Sequence, residues 1–461
     1  KYAFNIMTGE VLETAVRKIE RLVHEVKQAG CEQLADALLL GDIDNLNRLV
    51  RAHFTAKPDF NAGSPKQMQN LMYNVMALPI RIRNKPTDLM RARGEDGTPS
   101  TDDVAINSAL HYDLPDENDE RRQVLQALLK IKMYNTREGL YYSTYPVLPH
   151  WKSKRIHASN NQCSTVTRRF SCSQPNLAQL AKGAGDFRTI FVPHHKDALI
   201  VSLDFSAQEL RLIAEQSQDP NMLACYTGDN LKDMHSLTAA GIAKMPYDEF
   251  KAAIDDEHHP KHKWAKDVRK LAKTVNFASS YGAAAPKMAQ TLMVTEEEAQ
   301  SYLDAKFEAF AGVESWKRKV EEFARENGYA VTMLGARRHL KDITSSNKWE
   351  AAKAERQASN FAIQGSGAEM TKLAMGRMWK DDIRNRFDIR FFSPIHDEVV
   401  FSIAVKDIPN AVPLIHAAMT APYANMKVPI ESSVSMGFNF GDQHELGDGV
   451  HPTADNLKAL M

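Results

Sequence analysis

Cysteine is scarce in this sequence: four residues in 461, Cys31, Cys163, Cys172 and Cys225, with no pair at CxxC spacing. That excludes a disulfide scaffold, argues against structural zinc, and fits a reducing compartment. An excess of either charge is also missing, since 58 Lys and Arg balance 58 Asp and Glu. Overall charge therefore neither proposes nor excludes a polyanionic partner, and only local clustering speaks to one. No apolar run reaches membrane length, so no membrane partner is expected. Repeats and low-complexity tracts are absent, which sets aside solenoids and biased disordered chains. The opening KYAFNIMTGE is not a signal peptide, and without an initiator Met it reads as a product whose upstream region is missing.

What is present is an ordinary globular composition, 43% hydrophobic and 25% charged, in a chain long enough for about three domains. Apolar residues recur at helical spacing over 8–30, from Val11 to Val26, with Gly30 where a C-cap belongs. SPKQMQNLMYNVMAL offers Ser64 as N-cap and Pro65 at the first helical position. The cations Arg81, Arg83, Lys85, Arg91 and Arg93 follow, either as a grip for phosphates or as a solvated loop. GEDGTPS (94–100) marks a turn, and RRQVLQALLKIK reads as helix. Short β-like pieces come next, GLYYSTYPV, KRIHAS and STVTRRFS, and then KDALIVSLDF, the strongest strand candidate. Residues 221–330 are helical in period, 351–376 form another long helix, and IRFF and VVFSI flank PIHDEVV as two short strands. Strands early and late around a helical middle predict an α+β core with a helical insertion.

Three features carry chemistry. Asp204 ends the apolar run ALIVSL, and Asp397 and Glu398 sit at the hairpin tip. An acid at a buried strand end is costly unless something cationic meets it, so two such acids suit a pair of Mg²⁺ ions; the plain alternatives are a helix-flanking acid and a solvated turn. In DVRKLAKTVNFASSYG, Arg269, Lys273, Phe277 and Tyr281 recur at steps of four along one helical stripe, cationic first and aromatic second. A nucleoside triphosphate needs cations for its phosphates and flat rings for base and sugar; the alternative is a solvated cationic face with two half-buried aromatics. Glu209 closes Ser206-x-x-Glu, the pattern of a capping box. The run DDEHHPKHK (255–263) offers metal-binding residue types, but reads better as a charged loop.

From about residue 60 to the C-terminus the sequence resembles the polymerase module of family A DNA polymerases. The motifs stand in the family's order: PSTDDV (99–104), TRRFSCSQPNLAQL (167–180), DFSAQEL (204–210), DMHSLTAA (233–240), RKLAKTVNFASSYG (269–282), ERQASNFAIQGSGAE (355–369) and HDE (396–398). The resemblance implies a right-hand polymerase fold with an antiparallel palm sheet, helical fingers and a helical thumb. Its implied division is thumb with the start of the palm over 1–120, palm over 121–215, fingers over 216–345 and palm again over 346–461. Asp204 and Asp397 would hold two Mg²⁺ ions, with Glu398 as a supporting acid. Arg269, Lys273 and His235 would contact the incoming dNTP phosphates, Phe277 would pack on the sugar and Tyr281 would border the template base. Lys273 would also be the general acid, and Glu209 would block a ribose 2'-hydroxyl. Arg169, Arg356, Asn360 and Gln364 would read the minor groove of primer-template DNA, where donors can check pairing without preferring a sequence. His396 would lie near the primer backbone. A monomer in the cytoplasm of a bacterium or a phage-infected host is implied.

The sequence departs from bacterial relatives in Arg168, where Gly is usual, and in Ala178-Gln179, where Gln-Asn is usual; PNLAQ and AKT are nearer to phage members. Phe277 stands where some phage enzymes carry Tyr, which implies discrimination against dideoxynucleotides. No DxE exonuclease motif sits on an apolar strand, and DIDNL (42–46) reads as helical surface. Two other classes remain. A single-subunit RNA polymerase is opposed by Glu209 and the Glu of HDE, and a catalytically silent DNA-binding module by the intact acids at 204 and 397.

Overall fold

The computed structural model describes residues 60–150, 152–180, 185–280, 283–450 and 452–453. The readings on 8–30, on DIDNL, on Cys31 and on Tyr281 lie outside the described residues. The chain divides into two compact units, Lys1–Thr144 and Tyr145–Met461.

In the first unit Ser64 does cap a helix, Pro65–Gln69, which continues as a π turn over Asn70–Val75. Helices α1 (Asp103–Tyr112) and α2 (Glu120–Arg137) begin at the caps Asp102 and Asp119, whose carboxylates accept backbone N–H groups. Met68, Leu71, Met72, Ile106, Leu114 and Leu125 close a core between them. Gly97 in the GEDGTPS turn is required by close approach, because a Cβ there would stand 1.6 Å from the Asn84 carbonyl oxygen. The nearby cations have local partners: Arg81 pairs with Asp113 at 2.6 Å, Arg91 with Asp88 at 2.7 Å, and Arg83 donates to the Gly97 carbonyl. GLYYSTYPV is not a strand. Glu138–Tyr142 extends α2 as a π turn and Tyr145–Val147 is a 3₁₀ turn, so burial of Tyr141 and Tyr145 overrides their β propensity.

The second unit is built on a five-stranded antiparallel sheet. A small hairpin precedes it, β1 (Ser159–Asn161) with β2 (Ser171–Ser173), so KRIHAS and STVTRRFS each contribute to a strand only at their ends. The central strand β3 (Ala198–Phe205) is buried along nearly its whole length, as its continuous apolar run requires. Beside it run β7 (Glu398–Ala404), joined by a two-residue turn to β6 (Ile389–Ile395), and on the other side β8 (Ser432–Gly437) and β9 (His444–Asp448). Leu199, Val201, Leu203, Val399, Phe401 and Ile403 form one core with Met370 and Ile415, each contributing about 1.5–3 kcal/mol by burial.

Helices pack on this sheet, most of them inserted in the chain between β3 and β6. After β3 comes α3 (Gln208–Ser217), then α4 (Met234–Ala243), α5 (Tyr247–Asp255), α6 (His262–Ser280), α7 (Ala285–Leu292), α8 (Glu296–Ala309) and α9 (Ala311–Asn327). A short hairpin, β4 (Tyr329–Val331) with β5 (Arg337–His339), leads to α10 (Lys348–Lys380), and α11 (Ile408–Thr420) follows β7. Helix α10 has 33 residues, and the glycines of its QGSG stretch let neighbours close in. A Cβ on Gly367 would stand 2.6 Å from Gln208 Oε1, so the glycine allows α10 to lie against α3.

Candidate functional site

The register of β3 on β7 decides the acidic cluster. Asp204 is the direct partner of Glu398, and the Phe205 N–H donates to the Asp397 carbonyl at 3.3 Å. Directly opposed residues of an antiparallel pair share a face, with Cβ atoms about 4.5–5.5 Å apart. Asp204 and Asp397 are half-buried, Glu398 is buried and His396 is exposed. His396 and Asp397 are the two turn residues between the partners Ile395 and Glu398, and His396 takes a left-handed φ of 60°. That conformation costs a non-glycine residue roughly 1–2 kcal/mol, and the buried strands on both sides hold it in place. The donors offered by Asp204 and Asp397 are carboxylate oxygens, the set that suits a hard divalent cation. Among the described residues, the three-residue group whose ligand atoms all come within 4.8 Å of one another lies elsewhere, at His194, His195 and Asp388.

The capping box at Ser206–Glu209 does not form. Helix α3 starts after Ala207, which has a left-handed φ of 52° and gives no side-chain cap. The Glu209 carboxylate instead accepts from the Arg169 guanidinium, a tight ion pair with both side chains mostly buried. Arg169 precedes β2, and its carbonyl takes the Thr165 hydroxyl at 2.7 Å. The neighbouring Arg168 has a φ of 63°, the region glycine enters most easily.

On α6, Arg269, Lys273 and Phe277 do share a face, with Arg269 half-buried, Lys273 exposed and Phe277 43% exposed. The organising residue is Asp233, which the sequence reading passed over although an Asp before an apolar helix is a cap signal. It caps α4 through the His235 N–H, accepts the Ser236 hydroxyl at 2.9 Å, and accepts Arg269 Nε at 2.6 Å. Burial would raise its pKa, but the Arg269 and Ser236 hydrogen bonds outweigh that and hold it below the usual carboxylate range.

His235 lies against the same stripe, its ring 5.7 Å from that of Phe277. Burial lowers its pKa, and the charges of Arg269 and Lys273 add to the effect while Asp233 opposes it. The buried Asn276 amide fixes its tautomer. Thr238 donates to Asn276 Oδ1 at 2.9 Å, which leaves Asn276 Nδ2 to donate to His235 Nδ1 at 3.1 Å. The ring proton therefore sits on Nε2.

Asn360 and Gln364 lie one turn apart on α10 and line a pocket with Glu209, Met234 and Lys306; Arg356, a turn earlier, is exposed and outside it. Lys306 had no signal in the sequence. Burial and the nearby Lys317 push its amine down to about 8.

Residues 35–442 match the family described as DNA polymerase family A, and the chain belongs to that family. It is 29% identical over 454 residues to DNA polymerase I of Bacillus subtilis, covering 92% of this chain and 47% of the relative. It is also 29% identical over 405 residues to the thermostable DNA polymerase I of Thermus thermophilus, covering 87% and 44%. The chain thus spans about half the length, or less, of these relatives. Among solved structures it resembles the POL domain of Pol1 from M. smegmatis, in complex with DNA primer-template and dNTP, with a TM-score of 0.70 and 27% identity over 92% of this chain and 66% of that one. The mixed helical and antiparallel-sheet architecture is that of a family A polymerase domain. No described helix is long and apolar enough to cross a membrane.

Proposed function

We propose that the chain is a template-directed DNA polymerase that adds deoxynucleotides to a primer 3'-hydroxyl. The observation that carries this reading is the β3–β7 register, which sets Asp204 opposite Glu398 and beside the Asp397 turn. In this reading the sheet with 121–215 and 346–461 is the palm, 216–345 the fingers and 1–120 the thumb. Asp204 and Asp397 would hold two Mg²⁺ ions, which when bound neutralise phosphate charge and make the primer hydroxyl more acidic. Glu398, opposite Asp204, orients and supports that pair.

The primer 3'-hydroxyl gives up its proton to solvent as its oxygen attacks the α-phosphorus, the bond from that phosphorus to the bridging oxygen breaks, and pyrophosphate leaves. Lys273, exposed on the stripe, supplies the proton that the leaving pyrophosphate takes up. His235 presents Nε2–H as a neutral donor to a phosphate oxygen, because Asn276 occupies its other nitrogen. Arg269 reaches the triphosphate by sharing its guanidinium between Asp233 and phosphate, while Phe277 packs on the sugar and Tyr281 borders the template base. Glu209 excludes a 2'-hydroxyl, Arg169, Arg356, Asn360 and Gln364 contact the minor groove, and His396 lies near the primer backbone. We further assign a monomer in a bacterial or phage-infected cytoplasm, and the phage-like branch on PNLAQ and AKT.

Primer extension on a labelled primer-template with Mg²⁺, using dNTPs or NTPs, tests this on the native chain and on Asp397→Ala. Extension by dNTPs alone that the substitution abolishes supports the reaction and the acids together. A native chain that binds the duplex and adds nothing makes it a binding module instead.

A further inference from the structure

We propose that His194, His195 and Asp388 form a binding site for one borderline divalent ion of the zinc class, separate from the acids assigned above. The two histidines stand in the segment entering β3, and Asp388 immediately precedes β6. His194 Nε2 is 3.1 Å from Asp388 Oδ1 and His195 Nε2 is 3.0 Å from Asp388 Oδ2, with all three ligand atoms within 4.8 Å. Ligand atoms around a tetrahedral ion with bonds of about 2.0–2.1 Å are separated by roughly 3.3 Å, so the group closes on an ion with little movement.

The surroundings suit ligation. His194 Nδ1 lies 2.6 Å from Ser402 Oγ on β7, a hydroxyl already fixed by the His194 N–H at 3.0 Å. That hydroxyl can accept the ring proton at Nδ1 and leave the Nε2 lone pair for the ion. His195 Nδ1 accepts the Asp197 N–H at 3.1 Å, so its proton must move from Nε2 to Nδ1 on binding. The freed Asp197 N–H is at an exposed position, where water replaces the contact. Asp388 is anchored by its own N–H donating to Asp407 and also meets Arg390 at 3.4 Å, a cation the ion would have to displace.

His194 is nearly covered, whereas His195 and Asp388 are about one-third exposed, which gives the ion an entry path and a water for its open position. Two imidazoles and one carboxylate favour zinc-class ions over Mg²⁺. The group lies at the Ala198–Ala404 end of the β3–β7 pair, and Asp204 at the other end, about 20 Å away along the strand. An ion there would clasp the segment before β3 to the start of β6.

The test is Co²⁺ titration of the full chain in excess Mg²⁺, followed by the visible absorption of the bound ion and by Zn²⁺ competition. A single strong Co²⁺ site is expected, weakened at least roughly tenfold in His194→Ala, His195→Gln and Asp388→Ala. Zn²⁺ should raise the Tm of the native chain and of none of these variants. Should His194→Ala fail to fold, the more exposed His195→Gln carries the test. Native-like Co²⁺ binding in His195→Gln, no binding by the native chain, or loss of the site in a His258→Ala/His259→Ala variant would each overturn the proposal.

Discussion

Arg169 donates to the carboxylate of Glu209 across 40 residues of sequence, joining the loop before β2 to the first turn of α3. A residue assigned to the primer minor groove and one assigned to the sugar are thus a single ion pair. Glu209→Ala is expected to relax discrimination against ribonucleotides by roughly 10–200-fold, the range that one lost steric contact supports. Glu209→Gln keeps the bulk and an acceptor for Arg169, so it should retain most of the discrimination. Competition between dNTP and NTP in single-nucleotide extension reads both, and unchanged sugar selectivity in the alanine variant removes the assignment.

Lys273 is exposed on α6, and among the described residues no ion pair holds it in a structural role. Its replacement by Ala should slow incorporation by roughly 10²–10⁴-fold, as expected for loss of a general acid. Affinity for primer-template should change little. Rapid-quench incorporation beside equilibrium DNA binding separates the two; equal losses would make the residue structural.

His235 gives a pH dependence of folding with a definite sign. Its native pKa lies below the ordinary 6.5 because of burial, with Arg269 and Lys273 adding to the shift. Between that lowered pKa and 6.5 the unfolded chain binds a proton that the native ring refuses. The contribution is therefore present above pH 6.5 and is lost as the pH falls through this window. Urea unfolding between pH 5 and 7 should show a shallower slope of stability against pH for His235→Gln than for the native chain. Parallel slopes would mean that the ring is not held neutral.

Two glycines of α10 should respond oppositely to alanine. A Cβ at Gly365 would meet Thr332 Cγ2 at 2.7 Å and the Phe361 ring at 3.2 Å, while nothing lies within 4 Å of one at Gly376. Thr332 cannot turn away, since its hydroxyl donates to the buried Glu369 at 2.9 Å. Gly365→Ala should destabilise by about 1–3 kcal/mol through overpacking. Gly376→Ala should stabilise by about 0.5–1 kcal/mol through helix propensity. Chemical denaturation midpoints measure both.

Much of the secondary structure was legible. Strand β3 follows from its unbroken apolar run, α10 from helical spacing, and the Ser64 cap from local chemistry that needs no distant partner. GLYYSTYPV misled because aromatic β propensity is weak against helix continuation with its side chains buried. The capping box misled because Ser206-x-x-Glu is also compatible with a left-handed Ala207, and Arg169 then captures the glutamate.

The sequence by itself determined which side chains share a helix face and which acids end a strand, because period and local turn chemistry act over a few residues. Arg269, Lys273 and Phe277 were readable for that reason. The tertiary structure alone decided that Asp204 faces Glu398, that Asp233 binds Arg269, that Asn276 sets the His235 tautomer and that Asp388 meets two histidines. Those pairings join segments far apart in the chain, and strand register and helix packing fix them; no local pattern encodes either.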